Sequence, residues 1–520
     1  MRSDHNERYN VNRLGPETRA VVVGGSIAGL LAATACAPEF DEVVILDRDD
    51  LDTIGPRRAT PQARQIHVLH YGGARALEEL LPGVVEDLVI AGGTALDPGK
   101  DLTWFQSGGY MMRSRWPFRL MSISRTRLEA TVRARVFQIE NVTSISGVTI
   151  ERARYDGERF TAVEGRDRDG NELCLEADLI VDATGRRPAS IRWLNAAGLH
   201  VPKHLEVYTP LRYASTTYAR EAGDPVGAIL ATPTPPFSVG TYAFPIDDDR
   251  WIVTVNGDLG GWRESSRGGS LHRQSGASGG ANEPEQAIHA GLHNAGTIDL
   301  DAFERLVGLG TTPDVARFIA GREPLEKIST HRLPPSRWYQ WHKLARPPRG
   351  VIALGDAMVA FNPVYGQGMS AAAMQGLALR SSLEKGGSVE RRYARRAARV
   401  IAPIWRLAVG GDFRFPATTG DKPFGVNLLN RYLSRLSRAM NHDPKLAMAF
   451  GRVVSLVAHP ISLLRPSLVA RTIRFGSWHR VADARARTLR DERMARVAKV
   501  GAAPPPSHPW AATGAPTFRA

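Results

Sequence analysis

The residues whose types and spacing best suit chemistry lie in one stretch near the middle of the chain. Gly355-Asp356 follows an apolar run, 350–354, that predicts a buried strand. The loop 362–369 contains one proline and two closely spaced glycines, and the small-residue run 370–375 after it predicts a helix start. Backbone amides at a helix N-terminus favour negative charge, and glycine lets that backbone lie close to a ligand. The stretch therefore predicts an anion-binding site beside a carboxylate.

A second glycine-rich turn lies near the N-terminus. The strand-like run 19–23 leads directly into residues 24–29, which match the pattern G-x-G-x-x-G with Ser26 in the middle glycine position. Another strand-like run, 42–46, ends at Asp47, near the spacing of about 20 residues expected for a carboxylate that binds a ribose. A small residue such as serine still lets the backbone approach a pyrophosphate. Together these features predict a dinucleotide site.

A third motif, residues 177–187, repeats this pattern of a strand followed by a turn of small residues and glycine. An apolar run ends at Asp182 and enters Ala183-Thr184-Gly185, where an open α/β sheet would hold a ligand. His67 and His70 lie three residues apart on a predicted helix. Three interpretations are open: they belong to a helix face, they contact a cofactor, or they form a metal-binding pair. Arg48 is either a ribose or adenine contact or a loop charge.

Composition limits the class of protein. The chain has 520 residues, of which 43% are hydrophobic and 23% charged, which predicts a globular protein of two or three domains. Its two cysteines, Cys36 and Cys174, cannot form a disulfide framework, and we expect both to be buried reduced thiols. The polar N-terminus predicts no signal peptide, and no apolar run reaches the length of about 18 residues that suggests a spanning helix. We therefore expect a cytoplasmic protein.

The net charge of +14 is concentrated towards the C-terminus. Residues 380–499 hold 25 Lys and Arg against 8 Asp and Glu, and Arg391, Arg395 and Arg399 recur at helical spacing. This pattern indicates a solvated helix face, a contact with an anionic membrane surface, or an acidic partner. We expect no nucleic-acid binding, because no aromatic residues or recognition helix accompany the charge.

In this order and at these separations, the three motifs resemble those of group A-like FAD-dependent monooxygenases of the para-hydroxybenzoate hydroxylase fold. The similarity looks closest to bacterial polyether-type polyketide epoxidases and, more distantly, to squalene epoxidase. Further matching pieces are Pro61-Gln62 with the two histidines, and Ser124-Arg125 with Leu128-Glu129. The resemblance spans about residues 19 to 475. It implies an α/β fold with a Rossmann-like FAD-binding domain, a β-sheet substrate domain and a C-terminal helical region.

Composition and the resemblance together predict the domain organisation. The predicted parts are a disordered tail (1–17), the first part of the FAD-binding domain (18–204), a β-rich substrate domain (205–345) with a flexible Gly/Ser-rich insertion (261–286), a return segment of the FAD-binding domain (346–387), a helical region (388–500) and a second disordered tail (501–520).

The resemblance also implies which residues contact FAD. Asp47 would bind the adenosine ribose, Arg125 the phosphates, and Asp356 the ribityl or pyrophosphate part, while residues 363–369 would line the isoalloxazine. The full predicted set is Gly24, Gly25, Ser26, Ile27, Ala28, Gly29, Asp47, Arg48, Arg125, Gly185, Asp356, Pro363, Gly366, Gly368 and Met369. No metal site is predicted, and no residue is assigned as a catalytic acid or base.

The activity implied by the resemblance is monooxygenation. One oxygen atom of O2 would pass, through a flavin C4a-hydroperoxide, into a hydrophobic olefinic or aromatic substrate, with epoxidation in secondary metabolism as the expected reaction. NAD(P)H would supply electrons directly or through a separate flavin reductase, because Ala183-Thr184-Gly185 replaces the Asp-Gly found in many members.

Two alternatives stay open. The first is a prenyl-chain reductase of the same fold. The second is a non-catalytic flavoprotein that binds lipid or a partner through its basic helices. The W-x-W-x-I-P motif of flavin halogenases is absent, and the stretch 338–341 has its tryptophans in a different order.

Overall fold

The structure is a computed structural model that describes residues 18–52, 55, 61–257, 297–385 and 387–476. The predicted tails 1–17 and 501–520, the predicted insertion 261–286 and residues 477–500 of the predicted helical region lie outside these ranges. The division into domains stays a prediction.

The strands of the described chain are two to eight residues long. In chain order they are β1 (Arg19–Val23), β2 (Glu42–Asp47), β3 (Val68–Leu69), β4 (Thr94–Leu96), β5 (Leu102–Gln106), β6 (Gly109–Tyr110), β7 (Leu120–Ser122), β8 (Val142–Ser146), β9 (Thr149–Tyr155), β10 (Phe160–Arg166), β11 (Glu172–Glu176), β12 (Leu179–Asp182), β13 (His204–Tyr208), β14 (Arg212–Ala219), β15 (Ala228–Ala231), β16 (Gly240–Ile246), β17 (Arg250–Gly257), β18 (Thr297–Ile298), β19 (Ile328–Arg332), β20 (Ser336–Tyr339), β21 (Val351–Ala353), β22 (Val359–Ala360) and β23 (Thr419–Gly420).

The helices fall into a group that flanks the first sheet, a pair (Leu300–Gly308 and Asp314–Ile319) that packs on an eight-stranded sheet, and a group near the C-terminus. They are α1 (Ile27–Cys36), α2 (Tyr71–Leu80), α3 (Val84–Ile90), α4 (Arg125–Val136), α5 (Ala189–Ala196), α6 (Leu300–Gly308), α7 (Asp314–Ile319), α8 (Gly368–Leu383), α9 (Val389–Asp412), α10 (Val426–Ala439), α11 (Pro444–Val454) and α12 (Pro466–Phe475).

A parallel five-stranded sheet carries the three predicted motifs. Its strand order is β21-β12-β1-β2-β8, and each neighbouring pair is parallel. The strands are apolar on both faces, with Val21, Val22 and Ile180 fully buried, because helices cover the sheet. All strand ends of one polarity therefore meet at a single edge, where open α/β sheets hold ligands.

Apolar and polar residues alternate over 141–180, a pattern that predicts a β-meander, and the structure differs from it in part. Strands β9, β10 and β11 do form an antiparallel sheet, but β8 joins the edge of the parallel sheet beside β2. The segment Tyr110 to Arg119, whose pattern suggests a strand, contains only the end of β6 and is otherwise irregular.

A second, mostly antiparallel sheet of eight strands has the order β18-β19-β14-β17-β16-β15-β5-β6. One face packs Ala214 and Val255 against Phe303 and Val307 of α6. Because side chains alternate across a strand, neighbouring positions such as Tyr213 point to the opposite face. That second face lies towards the loop 362–366, since the Tyr213 hydroxyl reaches Asn362.

The C-terminal helices extend the first layer. Helix α9 packs along α8 and carries Trp405, which contacts Trp338 and Phe361. Within the part of the chain that the structure describes, no helix combines the length and apolar character needed to cross a bilayer.

Candidate functional site

The first glycine turn joins β1 to α1 in a shape that only glycine tolerates. Gly24 has φ +109°, and a Cβ there would lie 2.5 Å from the carbonyl oxygen of Ala183. A Cβ on Gly29 would lie 1.7 Å from the carbonyl oxygen of Gly24. The two glycines therefore let the turn fold onto the helix and onto the neighbouring β12 turn. Ile27 and Ala28 begin α1, and its first turn has no acidic side chain.

Asp47 supports this turn from the end of β2. Its Oδ2 accepts a 2.6 Å hydrogen bond from the backbone N–H of Gly25, and its Oδ1 accepts one from Asp49 N–H. The carboxylate is buried, whereas the neighbouring Arg48 is exposed. The structure thus places Asp47 at the turn, and its contact with a ribose stays a prediction.

A buried ion cluster stands beside Ser26. The Ser26 hydroxyl donates to Oε2 of Glu129 at 2.8 Å and accepts from Nη2 of Arg125 at 2.9 Å. Glu129 also pairs with Arg133, whose Nη1 donates to the Leu51 carbonyl. These three charged residues recur every four positions on α4, whose N-cap is Ser124. The cluster holds Arg125 against the turn.

The motif that follows β12 closes against the turn at Gly24. The buried Asp182 side chain accepts hydrogen bonds from Thr184 and from Ser190 N–H, which shapes the loop after β12. Gly185 has φ +84°, and a Cβ there would meet nothing within 4 Å, so the backbone borders open space. Arg186 then donates to the Phe361 carbonyl at 2.7 Å, and its Nε lies 3.5 Å from Oδ2 of Asp356.

The stretch that begins at Gly355 lies against the other two motifs. Gly355, directly after β21, has φ +67°, and a Cβ there would lie 2.5 Å from the Cβ of Ala28. Asp356 is partly exposed at the open edge. The structure therefore brings residues 24–29, 182–186 and 355–356 together at the carboxyl ends of β1, β12 and β21.

The loop 362–366 is held from three sides. From the eight-stranded sheet, the Tyr213 hydroxyl donates to Oδ1 of Asn362 at 3.2 Å. From the end of α9, Asp412 accepts from Asn362 Nδ2 at 2.8 Å and from the Tyr365 hydroxyl at 3.0 Å. From the start of α2, His70 Nε2 lies 3.0 Å from the Tyr365 carbonyl, which accepts from it when Nε2 carries the proton.

The two glycines of this loop have different surroundings. Gly366 has φ +64°, and a Cβ there would lie 2.8 Å from Cγ2 of Val68. Gly368 begins α8, and a Cβ there would meet nothing within 4 Å. Pro363 is exposed and Met369 is buried. The Cα of Gly368 thus borders open space at a helix start, which is a place that favours negative charge.

The second face of the eight-stranded sheet forms a wall over this loop. Tyr242, Leu230 and Ile252 pack with Val68 and Val364 in one apolar cluster. A polar group adjoins it, in which the Ser215 hydroxyl donates to Gln65 at 2.6 Å.

Burial controls the protonation of the groups near the loop. Desolvation, with a smaller effect from Arg125, lowers the pKa of His67 to about 4, and burial also lowers the pKa of His70. Both imidazoles are therefore neutral at pH 7. Burial raises the pKa of Asp412 to about 7, against the opposing hydrogen bonds from Asn362 and Tyr365.

Two expectations from the sequence are wrong. His67 and His70 precede α2 rather than lying on it, because β3 occupies Val68–Leu69. Cys174 is exposed on β11, and only Cys36 is buried. Among the described residues no group of three or more His, Cys, Asp and Glu is arranged to hold a metal ion.

Sequence reasoning missed two members of the site. Glu129 has a signal, namely its spacing of four from Arg125 and from Arg133 on one helix. Asp412 has none, since it lies 50 residues after Asn362 and meets it only through the packing of α9.

The residues present fit FAD. Bare amides at the start of α1, a turn too tight for any side chain at Gly24 or Gly29, and open space at Gly185 and Gly368 together form a backbone-lined cradle. Anionic phosphates suit helix N-termini of this kind, and the buried Arg125 adds positive charge beside the turn.

Comparisons with known proteins agree with this geometry. No protein-family model matches the chain. Protein Rv3254 of Mycobacterium tuberculosis is 29% identical over 469 residues, which cover 85% of this chain and 90% of that protein.

Three solved structures share the architecture. A flavoprotein/dehydrogenase from Cytophaga hutchinsonii superposes with a TM-score of 0.59 at 14% identity, covering 91% of this chain and 99% of that one. The flavin-dependent brominase Bmp2 gives 0.56 at 13% identity, covering 93% and 100%. PqsL of Pseudomonas aeruginosa, described as a probable FAD-dependent monooxygenase, gives 0.51 at 16% identity, covering 85% and 99%.

Sequence identities of 13–16% show a shared fold but do not show a shared reaction. The closeness to polyether-type epoxidases stays a prediction. The α/β fold with a Rossmann-like domain is confirmed, and the chain shares this fold with the three solved structures.

Proposed function

We propose that this chain is a FAD-dependent monooxygenase that inserts one oxygen atom of O2 into a hydrophobic substrate. The observation that carries the proposal is the meeting of three glycine turns at one edge of the parallel sheet, opposite a buried wall. The turns supply backbone amides for a dinucleotide, and the loop 362–366 connects them to the wall.

FAD would lie along the three motifs. Its pyrophosphate would meet the start of α1, where Arg125 is held in place by Glu129. Asp356 would bind the ribityl or pyrophosphate part at the open edge, and the start of α8 at Gly368 would face the ring. When bound, FAD supplies the redox chemistry and the reaction with dioxygen.

The chain's own residues have three tasks in this proposal. Tyr213, His70 and Asp412 hold the loop at 362–366 in one shape. The neutral His67 and His70 add no positive charge near the loop. The apolar cluster around Leu230 and Val364 keeps water from the reacting atoms, which prevents wasteful side reactions.

The substrate that this wall favours is an olefinic or aromatic compound. Leu230, Phe244, Ile252 and Trp104 are apolar and largely buried, so a substrate at this wall would meet hydrocarbon side chains rather than charges. We therefore propose epoxidation or aromatic hydroxylation, with epoxidation in secondary metabolism preferred by resemblance. NAD(P)H is the proposed electron source, either directly or through a separate flavin reductase.

The experiment that tests the proposal starts with the purified full-length chain and its visible flavin spectrum. Anaerobic reduction by NADH and by NADPH is measured with and without an added flavin reductase. The reduced protein is then mixed with oxygenated buffer and candidate olefins, while oxygen uptake and incorporation of ¹⁸O from ¹⁸O2 into product are followed.

Each outcome decides between the candidate functions. One labelled oxygen atom per product supports the proposal. Saturation of a double bond without oxygen uptake identifies the prenyl-chain reductase instead. Flavin that reoxidises at the same rate with every substrate points to the non-catalytic flavoprotein, and absence of bound flavin rejects all three.

We also propose a cytoplasmic enzyme that contacts anionic membranes through its C-terminal helices. Arg391, Arg395 and Arg399 are exposed along α9 and line a groove of about 430 Å³, while Leu428 and Ile473 are exposed on α10 and α12. Exposed arginines suit anionic lipid headgroups, and exposed apolar side chains suit the boundary with the acyl chains. Sedimentation with anionic but not zwitterionic vesicles, lost when the three arginines become Gln, is the expected result; equal sedimentation with both vesicle types would reject it.

A further inference from the structure

Asp412 is a buried carboxyl group whose protonation state the proposed function leaves open. It is the last residue of α9 and is 2% exposed. Its Oδ1 accepts the hydrogen bonds from Asn362 and Tyr365, whereas its Oδ2 is buried with no partner among the described residues. A buried acid with one oxygen unsatisfied is costly, so its position calls for an explanation.

The surroundings of Asp412 link it to three elements. Its backbone carbonyl accepts from Thr418 Oγ1 at 2.7 Å, which anchors the end of α9. A Cβ on the preceding residue, Gly411, would lie 2.3 Å from the Tyr365 hydroxyl, so glycine there leaves room for the phenol. Helix α9 thus ends in a shape that admits the loop 362–366.

The contacts of Asn362 extend this link to the substrate wall. Its Nδ2 donates to Asp412, and this leaves its Oδ1 directed to the Tyr213 hydroxyl and the Val364 N–H. The orientation of the amide therefore depends on the carboxyl group. A flipped amide would place a donor against the Val364 N–H donor.

We propose that Asp412 is a positioning residue that holds the loop 362–366 through Asn362 and Tyr365, and that the packed loop is most stable when Asp412 carries a proton, because protonation removes the cost of burying a charge and this outweighs the weaker hydrogen bonds. This inference rests on the proposed FAD site for its consequence, because the loop it holds would line the ring of the cofactor.

The groups that face Asp412 do not neutralise it. Asn362 and Tyr365 approach from the loop, Tyr213 from β14, and Arg414 lies near Tyr365 on the segment after α9. Salt bridges among the described residues pair Asp412 with no cation. Burial accordingly raises the pKa of this carboxyl to about 7, from the ordinary value of 3.8.

The sign of the pH effect follows from linkage. When the loop 362–366 is packed against α9, the buried Asp412 carboxyl binds its proton more tightly than it would with the loop detached and the carboxyl in water. Packing of the loop is therefore most favourable at low pH. Its equilibrium constant falls by up to about tenfold for each pH unit as the pH rises towards 7, and stays constant above pH 7.

Hydrogen–deuterium exchange on the full-length apoprotein tests this directly. Amide protection is measured for peptides that cover 361–368 between pH 5 and 8, after correction for intrinsic exchange rates. Wild-type protection should fall with pH up to about 7, whereas D412N, which cannot ionise, should show a flat profile. Y365F should weaken protection at every pH and keep the slope.

The matched control is D443N. Asp443 is also a buried carboxylate, but it caps α11 and pairs with Arg471 away from the loop. D443N should leave protection of 361–368 and its pH profile as in wild type.

FAD affinity, measured by quenching of flavin fluorescence, gives a second readout. D412A should bind FAD at least about tenfold more weakly than wild type at pH 6, and D412N should bind nearly normally at that pH. A wild-type slope in D412N, or unchanged exchange in both D412N and Y365F, would overturn the inference. If no variant binds FAD, the proposed function fails, while the apoprotein exchange still decides the role of Asp412.

Discussion

The Ser26 hydroxyl donates a 2.8 Å hydrogen bond to Oε2 of Glu129, so the first glycine turn is tied to a buried carboxylate on α4. The same carboxylate pairs with Arg125 and Arg133, and all three charged residues are buried. Glu129 therefore neutralises two arginines while it orients one of them towards the turn.

We expect Glu129→Gln to lower the free energy of unfolding by about 3 kcal/mol, because it leaves two buried guanidinium groups without their carboxylate. Urea denaturation of the apoprotein measures this, and flavin content on purification should fall as well.

Glu164→Gln is the matched control. Glu164 also contacts two arginines, Arg152 and Arg154, but both are well exposed to solvent. Exposed pairs of this kind contribute less than about 1 kcal/mol. Equal effects of the two substitutions would contradict the role assigned to Glu129.

Substitutions at Gly366 and Gly368 should distinguish an effect on folding from an effect on cofactor binding. Gly366→Ala should destabilise the apoprotein by about 1–3 kcal/mol, because φ +64° disfavours a side chain and the new Cβ would lie 2.8 Å from Val68. Gly368→Ala meets no atom within 4 Å and should leave the apoprotein equally or slightly more stable.

The same Gly368→Ala protein should nevertheless bind FAD at least about tenfold more weakly, since the methyl group would fill space next to the helix start. Thermal unfolding of the apoprotein and FAD titration distinguish the two effects. FAD affinity at the wild-type level would place the ring elsewhere.

Asp356→Ala should lose flavin without losing stability. The side chain is 41% exposed and its partner Arg186 lies 3.5 Å away, so its removal should change the free energy of unfolding by less than about 1 kcal/mol. Flavin content of the purified protein is the measurement.

Glu206→Ala provides the comparison for that experiment. Glu206 is a similarly exposed carboxylate that pairs with Arg337 on a different sheet. It should retain flavin. Loss of flavin in both variants would indicate a general effect of charge and not a contact by Asp356.

His67 predicts a fall in stability at acid pH. Its pKa is depressed to about 4 from an ordinary value of 6.5, chiefly by desolvation, so the folded state favours the neutral ring. The stabilisation is complete above pH 6.5 and is lost as the pH falls from 6.5 towards 4, by up to about 2–3 kcal/mol. His67→Gln should flatten this part of the profile in urea unfolding of the apoprotein. An unchanged acid slope would show that other groups cause it.

The two thiols should differ in reactivity. Burial raises the pKa of Cys36 to about 12, whereas Cys174 is exposed on β11. We expect one thiol to react with DTNB in the native protein and two after denaturation. Cys174→Ser should abolish the native reaction, and two reactive thiols in the native wild type would contradict the packing of α1.

The local conformations of the site follow from the sequence because they depend on neighbouring residues. The turns at Gly24 and Gly355, the strands before them and the N-cap at Ser124 are set by backbone torsion limits and by apolar periodicity. These features predicted the α/β fold and the edge where three motifs meet.

Tertiary structure decided how these pieces are held. Glu129 becomes buried between two arginines only when α4 packs beside α1, and Asp412 reaches Asn362 only because α9 ends there. Cys174 is exposed because packing buries the face of β11 that carries Leu173 and Leu175, and Cys174 lies on the opposite face. Sequence patterns record periodicity along one element, whereas burial, pKa and contacts between distant residues arise from the packing of several elements, so they could be assigned only from the folded chain.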